Sequence, residues 1–248
     1  MKITIAGFGY VGKAVDMFLK QYHTTHVVDP AFRLDKLTDV KPDAIIICVS
    51  TPQGKDGSCD VSNVLDVLND VNKHTPVLIK STISHEGWLT IKEAHPDKQI
   101  CFSPEFLRAK TAIQDFAGMD TMYLSDEHSV FWCNLFYAIR PDLTFKVGTV
   151  EELIITKYMR NSFLATKVNF FNQAFDLCQA LGINFETVRQ FVTDDSRIGS
   201  GHTKVTEDRG FGGHCFPKDT NAIIKTAQFK GVDLSIIREA VEYNNRIK

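Results

Sequence analysis

The feature that most constrains the fold is a glycine-rich turn close to the N-terminus. Gly7-Phe8-Gly9-Tyr10-Val11-Gly12 follows the apolar run Lys2-Ile3-Thr4-Ile5-Ala6 and opens a helical pattern. A G-x-G-x-x-G match alone is weak. Its context gives it meaning: a strand before, a helix after, and an acidic residue closing the second strand. That residue is Asp29, seventeen positions past Gly12. In this arrangement Gly9 lets a pyrophosphate sit against the helix N-terminus, and the Asp29 carboxylate accepts bonds from an adenosine ribose. A carboxylate there repels a 2′-phosphate, so NAD is expected over NADP, with nearby Arg33 as the opposing signal. The alternative is a strand–helix turn that binds nothing.

The first half of the chain continues in the same style. Short apolar runs at Lys2–Ala6, His26–Asp29, Ala44–Val49, Val77–Ser81, Gln99–Phe102, Thr121–Leu124 and Thr144–Val147 read as strands. Helical spacing lies between them, as in Val61, Val64, Leu65, Leu68 and Val71. Continuous apolar strands alternating with helices predict an α/β, Rossmann-type, doubly wound parallel sheet covered on both faces. Near Gly148 the character changes. From 151 to 181 no glycine or proline interrupts the chain, which predicts one long helix stopped by Gly182. Further helices are expected at 185–192, 219–229 and 234–247, with 193–213 as a loop. The expected organisation is a nucleotide-binding domain over 1–148 and an all-helical domain over 149–248.

Composition removes several function classes. The formal net charge is −2, which gives no electrostatic footprint for nucleic acid or a membrane surface. The longest apolar run, Ala44–Val49, is far too short to span a bilayer. The six cysteines are scattered without CxxC spacing, so neither a metal site nor a disulfide framework is expected. With no signal peptide before the first strand, a reducing cytoplasm is the expected home.

The second informative segment is Gly210-Phe-Gly-Gly-His-Cys-Phe-Pro-Lys-Asp-Thr220. Glycines admit close backbone approach to a ligand, and a neighbouring lysine favours a thiolate. Cys215 is therefore a candidate covalent nucleophile. The alternative is a buried structural cysteine beside a tight turn. Cys48, Cys101 and Cys178 lie in apolar patterns and read as core. His214, adjacent in sequence, is assigned no catalytic role. Lys157 and Asn161 stand four apart on the long helix and share one face, suited to stabilising an oxyanion or, alternatively, simply solvated. Asp219 suits either a catalytic carboxylate or the N-cap of the helix after it. Thr51 and Thr82 fall at the C-terminal ends of strands, where open α/β sheets bind ligands.

With both ends read, the chain resembles the UDP-glucose/GDP-mannose dehydrogenase family. The resemblance rests on motifs in order: Gly7–Gly12, Cys48-Val-Ser-Thr-Pro52, Ser81-Thr-Ile83, Ser103-Pro-Glu-Phe-Leu-Arg108, Lys157 with Asn161 and the Phe163–Asn172 stretch, Ser196-Arg-Ile-Gly199, and the Cys215 segment. It implies that a nucleotide-sugar C6 alcohol, most simply that of UDP-glucose, is oxidised twice to the uronate with two NAD reduced. Cys215 would hold the aldehyde as a thiohemiacetal and then a thioester. The resemblance casts Lys157, Asn161, Asp219, Glu105 and Thr82 as catalytic, with Glu105 a base for hydrolysis. It places Gly7, Gly9, Tyr10, Val11, Gly12, Asp29, Thr51, Thr82 and Glu105 on the cofactor. Glu105, Phe106, Leu107, Arg108, Lys157, Asn161, Arg197 and Gly212 fall on the substrate, with Arg197 reaching across a subunit interface. It also implies a homodimer through the 151–181 helix.

The sequence departs from that family in three ways. Relatives continue into a third, C-terminal domain that completes the nucleotide pocket, whereas this sequence ends at Lys248. The loop 199–209 lacks the prolines common there, and Ile154 stands where many relatives carry Glu. Two alternatives stay open: an NAD-binding module or half-enzyme with little activity, and a two-electron hydroxyacid dehydrogenase needing no cysteine.

Overall fold

The computed structural model describes residues 1–32, 37–54, 58–213 and 215–248, and the backbone alone of Thr38; Arg33 and His214 lie outside them. The chain forms two compact units, Met1–Lys157 and Tyr158–Lys248.

The first unit is built on a parallel sheet. In chain order it runs β1 (Lys2–Ala6), α1 (Tyr10–Leu19), β2 (Thr24–Val28), β3 (Ala44–Ile47), α2 (Ser62–Asp70), β4 (Val77–Ile79), α3 (His85–Ala94) and β5 (Ile100–Phe102). Then follow α4 (Ala112–Ala117), β6 (Thr121–Ser125), α5 (Ser129–Ile139), β7 (Thr144–Gly148) and the start of α6 (Val150–Leu181). Among the described residues the strands order as β2-β1-β3-β4-β5, all parallel, with β6 and β7 as a second parallel pair. The Phe102 N–H donates to Ser125 Oγ at 2.8 Å and ties β5 to β6. The expected doubly wound architecture is present, and the order reverses between β1 and β3.

Sequence explains this order. Ala44-Ile-Ile-Ile47 carries no polar residue and every side chain is buried, as a strand covered on both faces requires. Ile5 stands opposite Val27 on one side and Ile46 on the other, which makes β1 a central strand as well. The core between sheet and helices is filled by Ile3, Ile5, Ile46, Phe116, Trp132 and Phe136. Phe18 of α1 meets Phe116 of α4 edge to face at 5.4 Å. Cys48 and Cys101 belong to this core, as expected. Burial pushes their thiols up, to about 12 and about 11.

Two boundaries differ instructively. β2 begins at Thr24 and stops before Asp29, because its pairing with β1 starts at Lys2 opposite Thr24. The helix expected to start at Asp219 starts at Cys215, as α8 (Cys215–Phe229). Pro217 reads as a breaker in sequence, but in a first turn a proline forfeits no intrahelical bond. Asp219 therefore stands in the second turn, so its reading as an N-cap is corrected.

The second unit holds the rest of α6 with α7 (Phe185–Thr193), α8 and α9 (Ser235–Ile247). Gly182, at φ +67°, ends α6 as expected, and Asn184 caps α7 by accepting from the Thr187 N–H at 3.2 Å. Cys178 is buried here. The polar stretch 194–213 carries no helix or strand, yet it is tied down at several points. Lys167 donates to the carbonyls of Ile198 and Gly199, and buried Arg189 donates to Thr203 Oγ1 at 3.0 Å.

Candidate active site

The carboxyl ends of β1 to β5 gather most of the predicted residues of the first unit on one edge. Gly7 has φ +94°, and a Cβ there would stand 2.6 Å from the Cys48 carbonyl carbon. A Cβ on Gly12 would stand 2.0 Å from the Gly7 carbonyl oxygen. Both glycines are thus required by packing of the chain on itself. Gly9 is different: a Cβ on it would meet nothing within 4 Å. Gly9 is also the N-cap of α1 and offers no side-chain acceptor to the first-turn N–H groups. The open space above it, at a helix N-terminus, suits a pyrophosphate.

Asp29 lies just beyond β2. Its carboxylate accepts from the Phe8 N–H at 2.6 Å and from the Ala31 N–H at 2.8 Å. The backbone therefore fixes its orientation while further lone pairs remain for ribose hydroxyls. Tyr10 and Val11 form the first turn of α1, both partly exposed. Thr51 is buried after β3 and Thr82 half-buried after β4. Ser81 Oγ donates to the Val49 carbonyl at 2.8 Å and joins those two loops. This crevice, at the point where strand order reverses, is where open α/β sheets take dinucleotides. The residues present fit NAD.

Glu105 follows β5 and is mostly buried. Its Oε2 pairs with Lys80 Nζ at 2.9 Å, its Oε1 accepts from the Phe106 N–H at 3.2 Å, and its carbonyl accepts from Lys157 Nζ at 2.5 Å. The Lys157 ammonium also lies 5.8 Å from the Phe106 ring centre. Within the first unit the structure thus brings together Glu105, Phe106 and Lys157. Leu107 packs against the core. Arg108 is exposed and forked onto Asp115, with Nε and Nη2 at 3.0 and 2.6 Å. That guanidinium holds the Asp115 carboxyl well below the usual range.

In the second unit, Asn161 Nδ2 donates to Asp219 Oδ2 at 2.6 Å, and Lys218 Nζ pairs with Asp219 Oδ1 at 2.9 Å. Asp219 is 1% exposed, one turn along α8 from half-buried Cys215. The segment before Cys215 is held from two helices. Asn172 Oδ1 accepts from Arg209 Nε and the Gly210 N–H, and Asn244 pairs with both backbone groups of Phe211 at 2.6 and 3.1 Å. Asp176 accepts from Arg209 and from the Tyr243 hydroxyl. Arg197 is not drawn into any of these groups. Its side chain is 87% exposed and pairs with Asp195. Gly212 is exposed, and a Cβ there would stand 2.7 Å from Lys248 Nζ.

Several residues of these clusters were not expected as site residues, among them Lys80, Asp176, Arg209, Tyr243 and Asn244, and Asn172 was read only as part of the Phe163–Asn172 stretch. For Asn244 a signal existed. It falls on the buried spacing of α9 with Ile237 and Ala240, where a polar side chain needs a partner. Lys80 extends the fully buried run of β4, an unusual place for an ammonium.

Comparison with known proteins agrees with this geometry. Residues 31–129 match the NAD binding domain of the UDP-glucose/GDP-mannose dehydrogenase family, and residues 152–246 match the central domain of the same family. The first unit is therefore an NAD-binding domain. The chain is 31% identical to the UDP-glucose 6-dehydrogenase of Rhizobium meliloti, across all of this chain and 68% of that one. It is 28% identical to UDP-glucose 6-dehydrogenase YwqF of Bacillus subtilis, across 99% of this chain and 66% of the other. A UDP-glucose dehydrogenase structure from Pyrobaculum islandicum superposes with a TM-score of 0.86 at 26% identity, covering 99% of this chain and 68% of that one. The chain thus spans about two-thirds of the length of these relatives. Among the described residues no helix is long and apolar enough to cross a membrane. Motif order, parallel sheet, helical second unit and both domain matches lead to one assignment: the chain belongs to the UDP-glucose/GDP-mannose dehydrogenase family.

Proposed function

We propose that this chain carries the chemistry of an NAD-dependent nucleotide-sugar 6-dehydrogenase, taking the C6 alcohol of UDP-glucose through two oxidations to the carboxylate. The observation that carries the reading is the second-unit arrangement: a half-buried cysteine opening α8, with buried Asp219 one turn on and bonded to Asn161. A structural cysteine would need no such neighbours.

The roles follow from chemistry. When bound, NAD accepts the hydride at each oxidation. The Cys215 thiol adds to the C6 aldehyde, forming the C–S bond of a thiohemiacetal. Loss of the second hydride from C6, with the thiohemiacetal hydroxyl proton released to water, leaves a thioester on Sγ. Helix N–H groups near Cys215 suit the oxyanion that forms on the carbon bound to sulfur. The Lys157 ammonium and the Asn161 amide are donors suited to oxygen at C6. Asp219 fixes the Asn161 amide by accepting its hydrogen bond, so that amide's direction is set before substrate arrives. Glu105 and Thr82 act on the hydrolytic water, which attacks the thioester carbon and expels the Cys215 sulfur. Gly9 and Asp29 hold the dinucleotide. The family resemblance assigns Arg108, Arg197 and Gly212 to the substrate, and a guanidinium suits a diphosphate.

Association follows from α6. Met159, Phe163, Phe170, Leu177 and Leu181 are exposed along it at helical spacing, an apolar stripe that a second copy would cover. We read the active species as a homodimer working in the cytoplasm.

NADH formation on incubation with NAD and UDP-glucose tests this reading, with GDP-mannose as the competing substrate. Turnover with neither at millimolar concentration would sink it. Its rival is an NAD-binding half-enzyme, favoured by the chain spanning about two-thirds of its relatives. That rival predicts NAD binding without NADH formation.

A further inference from the structure

We propose that Lys80 is a positioning residue for the hydrolytic half of this reaction, acting through Glu105; the assignment rests on the function proposed above. Lys80 is an ammonium almost wholly inside the protein, its side chain 2% exposed at the carboxyl end of β4. A lysine is almost never buried to this extent unless paired. Its partners are specific. Nζ pairs with Glu105 Oε2 at 2.9 Å, donates to Ser103 Oγ at 3.1 Å, and lies 5.7 Å from the Phe116 ring centre. Ser103, at 1% exposure, is just as deeply held.

The consequence falls on Glu105. Oε2 is ion-paired with Lys80 at 2.9 Å without hydrogen-bond geometry, and Oε1 accepts from the Phe106 N–H at 3.2 Å, so charge at one oxygen and a backbone donor at the other restrain the carboxylate. The Glu105 backbone is fixed as well, since Lys157 Nζ bonds its carbonyl. An ionised carboxylate only accepts hydrogen bonds, and Oε1 keeps a lone pair beyond its Phe106 contact. That lone pair is what a hydrolytic water needs. In the step itself the water oxygen bonds to the thioester carbon, one water proton passes to the Glu105 carboxylate, and the C–S bond breaks with its electron pair returning to Cys215 Sγ. Lys80 touches neither substrate nor water; it sets where the accepting oxygen points. A buried ammonium used only for stability would be better replaced by a hydrocarbon side chain, since buried ion pairs contribute little net stability.

The test separates positioning from scaffolding by following the two halves of the reaction. In Lys80→Met, steady-state NADH formation should fall by on the order of 10²-fold, the usual worth of a correctly placed acid–base group. The first turnover should still release its NADH, and intact mass should show the sugar adduct accumulating on Cys215. Glu105→Gln should give the same pattern, and Lys80→Arg should restore turnover to within about tenfold of the parent. Unchanged turnover in Lys80→Met would overturn the assignment. So would loss of the first-turnover NADH and the adduct together with turnover, which marks a merely structural role. Should Lys80→Met fail to fold, Lys80→Arg and the charge-free Lys80→Met/Glu105→Gln pair decide. Turnover in Lys80→Arg no higher than in Glu105→Gln then overturns it. An unsubstituted chain that makes no NADH would overturn the underlying function and this assignment with it, an outcome distinct from the failure of Lys80 alone.

Discussion

Replacing Asn244 by alanine should loosen the segment before Cys215 by a calculable amount. Asn244 is 6% exposed and pairs with both the N–H and the carbonyl of Phe211, itself 3% exposed. The substitution leaves two buried backbone groups without a side-chain partner. Each unpaired group costs about 1–3 kcal/mol, so the loss is about 2–6 kcal/mol. At about 2–4 °C per kcal/mol for a chain of this size, the melting midpoint should fall by on the order of 10 °C. Relaxation offsets little of this. Arg209 and Gly210 are held at φ +52° and +51°, and a Cβ on Gly210 would sit 2.3 Å from Asn244 Oδ1, so the turn is built around that side chain. Urea titration of Asn244→Ala beside Ile236→Ala measures the difference, since Ile236 is 76% exposed on the same helix and should move stability by no more than about 0.5 kcal/mol. An Asn244→Ala chain as stable as the Ile236→Ala control would show that the Phe211 backbone does not depend on Asn244.

Three further outcomes follow. Gly9→Ala should leave stability nearly unchanged and weaken NAD binding by about tenfold or more by calorimetry, whereas Gly12→Ala, whose Cβ would meet the Gly7 oxygen at 2.0 Å, should cost about 1–3 kcal/mol of stability; equal effects on stability would contradict this. Iodoacetamide at pH 8 should label Cys215 and spare Cys48 and Cys101, because burial raises those thiols to about 12 and about 11; peptide mapping that finds Cys48 labelled as fast as Cys215 would oppose it. Hydrogen bonds from Arg189 lower Glu186 to about 2 from an ordinary 4.5, so its contribution to stability is present above about pH 4.5 and is lost as pH falls toward 2. Acid titration of Glu186→Gln should lack that component, and an unaltered acid transition would count against it.

How far the sequence was legible depended on the kind of signal. The sheet could be read because Ile45, Ile46 and Ile47 have no other stable place than a covered strand, and Gly7 and Gly12 mark close backbone approach. The long helix could be read because nothing between 151 and 181 breaks it. The start of α8 could not, since Pro217 punctuates most contexts but is harmless in a first turn. The partners of Glu105 and Phe211 were hidden for a different reason. Lys80–Glu105 and Phe211–Asn244 are pairs made by tertiary packing between residues far apart in sequence, and single-sequence spacing does not identify the partner. Their one local sign is a polar residue on a buried face.

In the proposed reaction Cys215 holds a carbonyl between two oxidations. Counting NADH against nucleotide sugar consumed, for the parent chain and for Cys215→Ala, tests it most directly. The parent chain should form two NADH per UDP-glucose with uronate as product, and Cys215→Ala should lose the second oxidation. One NADH per sugar in the parent, or full turnover without the cysteine, would contradict it.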